Sequence, residues 1–129
     1  MAFLSESDRV TSALVQLALD AATLRHQATA NNLANIHSVD YQPQRLNFEE
    51  QLSALRQAVA THAPVALAAV EQVRPFIETN GVRGDGNVAQ MIDMEVVKLA
   101  QNTVHYQALI KALDKRGTIL AMAVNEGRR

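Results

Sequence analysis

The chain has 129 residues, of which 48% are apolar and 19% charged, the length and composition of one folded domain rather than of a disordered segment. Twelve basic residues against 13 acidic ones leave a net charge of −1, which argues against nucleic acid as a partner and against a polybasic membrane anchor. The absence of cysteine excludes disulfides, thiolate metal sites and cysteine nucleophiles.

A long helix is predicted over residues 7–36. Neither glycine nor proline occurs between residues 1 and 39, and Ser5, Ser7 and Asp8 are candidates for its N-cap. The apolar residues behind them recur at alternating steps of four and three, which is the a/d spacing of a coiled coil. We call this set the N-terminal stripe: Val10, Leu14, Leu17, Ala21, Leu24 and Ala28.

The middle region, residues 37–89, holds all three prolines and is predicted to be loop-rich and partly extended. A short amphipathic helix is expected near residues 48–60, and residues 63–77 are expected to be extended or irregular. Residues 79–87 have the glycine and asparagine content of tight turns. The spacing of the apolar residues is too irregular to predict a large core within this region.

A second long helix is predicted over residues 90–126, with Gly127 resembling a C-terminal cap. Its apolar face repeats the four-three alternation for more than four heptads. Gly117 interrupts that face, and it either allows the close approach of another backbone or marks a flexible point. We call this set the C-terminal stripe: Ile92, Val96, Leu99, Thr103, Tyr106, Ile110, Leu113, Gly117, Leu120 and Val124.

Together these elements predict one all-α domain, residues 1–129. Two long terminal heptad helices would form an antiparallel coiled-coil hairpin or bundle, joined by a loop-rich, partly extended middle region. The helices could pair within one chain or pack against the same helices of neighbouring chains. Stripes of about 30 residues, with few other elements to cover them, favour packing between chains, alone or combined with packing within the chain.

The end of the first helix carries a family resemblance. The run Asn31-Asn32-Leu33-Ala34-Asn35, followed by Tyr41, resembles the signature of the bacterial flagellar axial proteins. In that family the usual turn between the two is Thr-Pro-Gly or similar, and residues 38–40 depart from it. The asparagine-rich run therefore indicates the wider family. The different residues at 38–40 bear on the conformation of the turn rather than on the family.

The C-terminal half narrows the resemblance to the proximal rod subunits of that family. Four segments are similar to theirs: Asp85-Gly86-Asn87, Asp93-Met94-Glu95, Leu99-Ala100-Gln101-Asn102 and Tyr106-Gln107-Ala108-Leu109. Phe48-Glu49-Glu50 also fits, whereas residues 88–90 replace the usual Asn-Val-Asp. The resemblance covers residues 8–60 and 79–127.

The resemblance implies a structural subunit of the flagellar proximal rod, part of the periplasmic drive shaft that transmits torque, which assembles through its terminal helices. It implies several partners: further copies of the chain, the other rod subunits, the adaptor that joins the rod to the inner-membrane ring, and the type III export apparatus. The N-terminus lacks the features of a cleaved signal peptide, which agrees with such export. The alternatives are another axial or rod-like subunit and a self-contained cytosolic helical interaction module.

Several signature residues have two candidate roles. Asn31 and Asn32 either specify the register of a coiled coil or simply end the helix, whereas Asn35 is expected to cap it. Tyr41 is expected to pack its ring against the helices. The full set expected to serve assembly and packing is Val10, Leu14, Leu17, Leu24, Asn31, Asn32, Leu33, Asn35, Tyr41, Val96, Leu99, Tyr106, Ile110, Leu113, Leu120 and Val124.

No catalytic, cofactor-binding or metal-binding site is predicted, so we expect neither an enzyme nor a protein that binds nucleic acid or a small-molecule substrate. The four histidines lack the i, i+4 spacing of a helical metal site. The Asp85-Gly86-Asn87 motif lacks the glutamate at the twelfth position of a calcium loop, where Val96 stands instead.

Overall fold

The computed structural model describes residues 5–61, 63–79 and 87–127. Its elements are helix α1 (Glu6–Ala34), strand β1 (Gln44–Asn47), helix α2 (Glu49–Ala60), helix α3 (Leu67–Glu71), strand β2 (Phe76–Thr79) and helix α4 (Val88–Gly127). At a rise of 1.5 Å per residue, α1 is about 44 Å long and α4 is about 60 Å long. The two long helices lie where heptad spacing predicted them.

Helix α1 begins with a capping box. The Oγ of Ser5 accepts a hydrogen bond from the backbone N–H of Asp8 at 3.1 Å, and the Asp8 carboxylate accepts from the Ser5 N–H at 3.2 Å. Both bonds satisfy donors that a helix start leaves unpaired. Ser5 is therefore the N-cap among the three candidates and Asp8 is its partner, while the side chain of Ser7 lies outside the described residues.

The core lies between α1 and the middle region. Its buried side chains come from α1, from the junction of β1 with α2, and from α2 and the α3 segment: Val10, Leu17, Ala21, Phe48, Leu55, Val70 and Val73. Among the described residues of α4 none is buried. The middle region was predicted to lack a large core of its own, and its apolar side chains are instead buried against α1, because several short elements each bring one or two of them to the same face of that helix.

Strands β1 and β2 form a two-stranded antiparallel sheet, with Gln44 opposite Thr79 and Asn47 opposite Phe76. The fold is mostly helical with a small sheet, which corrects the prediction of an all-α fold. The extended conformation expected for residues 63–77 is found at its end, but α3 lies within the same range. Strands of four residues are too short for alternation to reveal them in the sequence.

Helix α4 lies along α1 in the opposite chain direction. Near the end of α1, Nδ2 of Asn32 donates to Oε2 of Glu95 at 3.4 Å. Towards the middle of α1, the carbonyl of Ala22 accepts from Nδ2 of Asn102 at 2.7 Å. These two bonds establish the direction, whereas coiled-coil packing of the helices stays a prediction.

The structure places Asn87, just before α4, and Gly117, within it. Oδ1 of Asn87 accepts from the backbone N–H of Gln90 at 2.8 Å, so the last residue of the Asp-Gly-Asn motif caps the helix. A Cβ added at Gly117 would meet no atom within 4 Å, so no backbone of the described chain approaches it closely. Residues 80–86, which the turn prediction also covers, lie outside the described residues.

Candidate functional site

The signature asparagines lie where α1 ends and the chain returns to β1. The side chain of Asn32 is buried, and its Nδ2 donates to the carbonyl of Gln44 at 2.8 Å while its Oδ1 accepts from the Gln44 N–H at 2.7 Å. The same Oδ1 accepts from the hydroxyl of Tyr41 at 2.9 Å. One amide therefore takes the place of a neighbouring strand for the first residue of β1.

The flanking asparagines form hydrogen bonds at the same junction of α1 and β1. Nδ2 of Asn31 donates to Oε1 of Gln44 at 3.0 Å. Asn35 is the C-cap, as predicted, but its φ of −114° is not left-handed. It caps instead by donating from Nδ2 to the carbonyl of Asn31 at 2.8 Å. Within the chain, Asn31 and Asn32 both bind Gln44, the first residue of β1. This role differs from the two that were predicted, coiled-coil register and the end of the helix.

Tyr41, in the segment between α1 and β1, lies near the Glu95 carboxylate of α4. Burial and the nearby Glu95 carboxylate raise the pKa of Tyr41 above its usual value of 10.0. The hydroxyl therefore stays protonated near neutral pH and remains a donor to Asn32. Glu95 itself lies 3.4 Å from Nζ of Lys98. Tyr41 thus has a polar role that was not predicted, whereas the packing of its ring against the helices stays a prediction.

A second side-chain amide holds the other end of the sheet. Nε2 of Gln51, on α2, donates to the carbonyl of Arg74 at 2.8 Å, and its Oε1 accepts from the Arg74 N–H at 2.8 Å. Arg74 lies just before β2, whereas Asn32 binds the opposite end of the sheet. The sequence carried no signal for Gln51, because a glutamine on the polar face of a short helix is an ordinary residue there.

An ion pair crosses the sheet. Arg45 and Glu78 are directly opposite each other, with Nη2 and Oε1 2.6 Å apart, and Nδ2 of Asn47 donates to Oε2 of Glu78 at 3.1 Å. The hydrogen bonds from Asn47 and from Arg45 hold the pKa of Glu78 below its usual value. The pairing depends on the register of the sheet, so the sequence alone could not indicate it.

The N-terminal stripe faces the interior of its own chain. Val10, Leu17 and Ala21 are buried in the core, and Leu14 packs against it. Leu24 is half-buried, Ala28 is buried, and Leu33 of the signature is half-buried. Because the middle region covers so much of this stripe, its contribution to contacts between chains stays a proposal.

The C-terminal stripe is less buried than the N-terminal stripe. Val96 is 48% exposed and Tyr106 is 39% exposed. Leu99, Ile110 and Leu113 are half-buried. The side chains of Leu120 and Val124 lie outside the described residues.

A second set of apolar side chains on α4 faces solvent. Val104 is 67% exposed, and Met94, Val97 and Met122 are each more than half exposed. We call these four residues the outer face. None of these four residues belongs to the C-terminal stripe that the a/d pattern predicted. Val97 and Val104 are seven residues apart, and this heptad spacing could have indicated the outer face.

The described part of the chain shows no group of three or more metal-ligating side chains. His26 lies on α1, His37 in the turn after it and His105 on α4, and all three are exposed. His62 lies outside the described residues. No described helix combines the length and the apolar character needed to cross a membrane.

Comparison with known proteins supports the resemblance seen in the sequence. The chain is 25% identical over 118 residues to the flagellar basal body rod protein FlgB of Bacillus subtilis, and the alignment covers 86% of this chain and 90% of the relative. No family model and no solved structure matches the chain. The relative is a structural rod protein and not an enzyme, so the predictions of a similarity to this type of rod protein and of a non-enzymatic role are confirmed.

Proposed function

We propose that this chain, a relative of the flagellar basal-body rod proteins, is a structural subunit of the proximal rod, the periplasmic part of the drive shaft that transmits torque. The observation that carries the proposal is the similarity to a rod protein over nearly the whole length of both chains. Because it covers 86% of this chain, it includes at least part of each terminal helix as well as the middle region. The subunit would leave the cytoplasm through the type III export apparatus without a cleaved signal peptide.

Assembly would proceed mainly through α4. The outer face and the exposed part of the C-terminal stripe leave apolar side chains in water along much of this helix. Burying one such side chain fully is worth about 1.5–3 kcal/mol, so contacts with helices of neighbouring subunits would be strongly favoured. Antiparallel coiled-coil packing against α1 would cover one side of α4, and packing between subunits would cover the other.

Torque transmission requires that the elements of a subunit keep fixed positions relative to one another. The amides of Asn32 and Gln51 attach the two ends of the small sheet to α1 and α2. Glu95 and Asn102 link α4 to α1. These hydrogen bonds would let a load on one helix reach the others. The proposed partners are other rod subunits, further copies of the chain, and the adaptor to the inner-membrane ring.

Carboxylates placed on α4 test the proposal. In a flagellated bacterium lacking its own copy of the gene, we expect Leu113→Asp and Val104→Asp to abolish rod formation and motility, because assembly would desolvate an unpaired charge. Gln107→Asp, which adds the same carboxylate at an exposed polar position, is the control. Circular dichroism and urea unfolding of Val104→Asp establish that its fold is intact, since Val104 contacts solvent in the free chain. Normal motility with both variants would contradict the proposal.

A self-contained helical interaction module is the second candidate. It is favoured by one observation, the burial of the N-terminal stripe against the chain's own middle region. Analytical ultracentrifugation and circular dichroism over a range of concentrations would separate the two. A fully helical monomer at all concentrations, together with normal motility after deletion of the gene, would favour the module.

A further inference from the structure

A row of exposed side chains runs along the first half of α4. The bonds of Glu95 and Asn102 to α1 show which side of the helix α1 covers, and at about 100° per residue the row lies on the other side. Its members recur at alternating steps of three and four residues, the a/d spacing of a coiled coil, so the partner that fits it is another helix. We call this set the exposed stripe: Met94, Val97, Gln101, Val104 and Ala108.

The exposed stripe ends where the same heptad positions become charged. The next two positions along it are Lys111 and Lys115, and both are exposed. Because two helices in contact there would bring like charges together, a contact made by the stripe would stop at Ala108. From Met94 to Ala108 the stripe is about 22 Å long. A contact of this length is smaller than the interfaces of stable complexes, so it would be weak and reversible.

Opposite charges flank the apolar end of the exposed stripe. Asp93 is exposed, and it forms no ion pair or hydrogen bond with any residue that the structure describes. On the other flank, Nζ of Lys98 lies 3.4 Å from Oε1 of Glu95, and the Lys98 side chain is 56% exposed. An exposed pair at this distance is weak, so Lys98 can also bind a second carboxylate. Asp93 and Lys98 occupy positions g and e, whose charges select the partner and the orientation of a coiled coil.

These charges favour a parallel partner with the same sequence. In a parallel coiled coil, position g of one helix lies beside position e five residues later in the other, so Asp93 would lie beside Lys98 of a second copy, twice per pair. An antiparallel contact would instead place position e beside position e, where Lys98 and His105 are both basic or neutral. In the same parallel register the two Gln101 side chains would meet, and each amide can donate to and accept from the other.

The rest of the chain offers no better partner for the stripe. Among the described residues of α1 no large apolar side chain is exposed. A second copy would therefore present its own exposed stripe as the matching helix surface.

We propose that two free copies of the chain pair through their exposed stripes, with the α4 helices parallel and in register and Asp93 of each copy beside Lys98 of the other. Such a contact uses the same surface on both copies and closes at two, so it cannot extend into a rod. The dimer covers apolar side chains of the outer face before assembly and has to open for rod packing. This role before assembly rests on the proposed function, whereas the existence of the dimer does not.

Analytical ultracentrifugation of the purified full chain tests whether the dimer forms. At low salt we expect a monomer–dimer equilibrium with a dissociation constant of about 0.1 mM, as a small interface implies. Val104→Asp should leave the chain folded and monomeric, because the dimer would bury its carboxylate without a partner. A native chain that stays monomeric at about 1 mM, or that forms species larger than a dimer with no dimer, would overturn the proposal.

Charge reversal tests the register. Asp93→Lys and Lys98→Asp should each weaken the dimer about tenfold at low salt, because two attractive pairs become repulsive. The double variant should restore the native dissociation constant to within about twofold. Within one helix, residues five apart lie about 140° apart around the axis, so this rescue requires a contact between copies. Circular dichroism establishes that each variant is folded.

A matched control separates the pair from net charge. Asp114→Lys makes the same charge change at an exposed position of α4 beyond the stripe, and it should leave the dissociation constant unchanged. Equal weakening by Asp114→Lys, or a double variant as weak as the single ones, would overturn the proposed register.

Single cysteines test the orientation, since the native chain contains none. Under mild oxidation, Met94→Cys should form a disulfide with its own copy at least about tenfold faster than Gln57→Cys, which lies at an exposed position on α2. Equal rates would show that only random collisions join the chains. A disulfide that forms between Met94→Cys and Ala108→Cys chains, but not between two Met94→Cys chains, would show antiparallel pairing. Either result would overturn the proposal.

The dimer and the role in a rod can fail separately. A chain that purifies with basal bodies but is monomeric in solution would overturn the dimer and leave the proposed function standing. A dimer that passes the charge-reversal and cysteine tests, in a bacterium that swims normally after deletion of the gene, would support the dimer and contradict the proposed function.

Discussion

The side-chain amide of Asn32 forms two hydrogen bonds with the backbone of Gln44, 2.8 and 2.7 Å long, which join the end of α1 to the first residue of β1. Gln51 makes the same pair of bonds with Arg74 at the other end of the sheet. A two-stranded sheet is marginally stable in water by itself. The two amides therefore attach it to the helices, and this gives the second asparagine of the signature a physical role within the subunit.

Replacing Asn32 should destabilise the chain strongly. Asn32→Ala leaves the Gln44 backbone and the Tyr41 hydroxyl without their partners in a partly buried site. We expect the free energy of unfolding, measured in urea, to fall by about 2–4 kcal/mol. Asn31→Ala is the matched control, because its exposed side chain forms one exposed hydrogen bond, to the Gln44 side chain, and its effect should stay within about 0.5 kcal/mol. Equal losses for the two variants would show that the hydrogen bonds from Asn32 to the Gln44 backbone do not account for the stabilisation.

Replacing Gln51 should have a smaller effect of the same kind. Gln51→Ala removes both hydrogen bonds to Arg74, but that backbone lies near solvent and can bind water instead. We expect a loss of about 1 kcal/mol in the same urea experiment. Gln57→Ala, at an exposed position on the same helix, provides the control. An equal loss of unfolding free energy for Gln57→Ala would contradict a specific role of the bonds between Gln51 and Arg74.

The stabilisation that Glu78 gives to the folded chain should be lost in acid. Its pKa is lower in the folded chain than in the unfolded one, so the unfolded chain binds the proton more tightly. The stabilisation is therefore present above the usual pKa of 4.5 and is lost as the pH falls through the lower, folded value. We expect Glu78→Gln to reduce the dependence of stability on pH below 4.5, measured by urea unfolding. Glu71→Gln, which removes an exposed carboxylate from α3, should change this dependence less.

Gly117→Ala should stabilise the free chain. A Cβ at this position meets no atom within 4 Å, and alanine is favoured over glycine inside a helix by about 1 kcal/mol. Thermal unfolding of the purified chain would show the gain, and Ala112→Gly on the same helix should show a loss of similar size. A stabilised variant that no longer forms rods would indicate that a neighbouring subunit approaches Gly117 closely. If Gly117→Ala made the free chain less stable, the space around Gly117 could not be open as the structure has it.

Some features at the two ends of α1 could be predicted because their signals are local. The capping box of Ser5 with Asp8 spans three positions along the chain, and Asn35 caps the helix that it ends. The bonds of Asn32 to Gln44 and of Gln51 to Arg74 join residues far apart in the sequence, and no periodic pattern marks such pairs. The family signature pointed to Asn32, but only the position of β1 beside α1 revealed what it binds.

The sequence by itself determined the two long helices and the apolar stripe along each, because heptad spacing is a property of consecutive residues and needs no knowledge of the partner. Only the tertiary structure decided what each stripe faces. The N-terminal stripe packs on the middle region, since three short elements converge on it, and α4 keeps an uncovered apolar face. A repeat along one helix specifies which side is apolar, but the choice of partner depends on which surfaces the rest of the chain brings near.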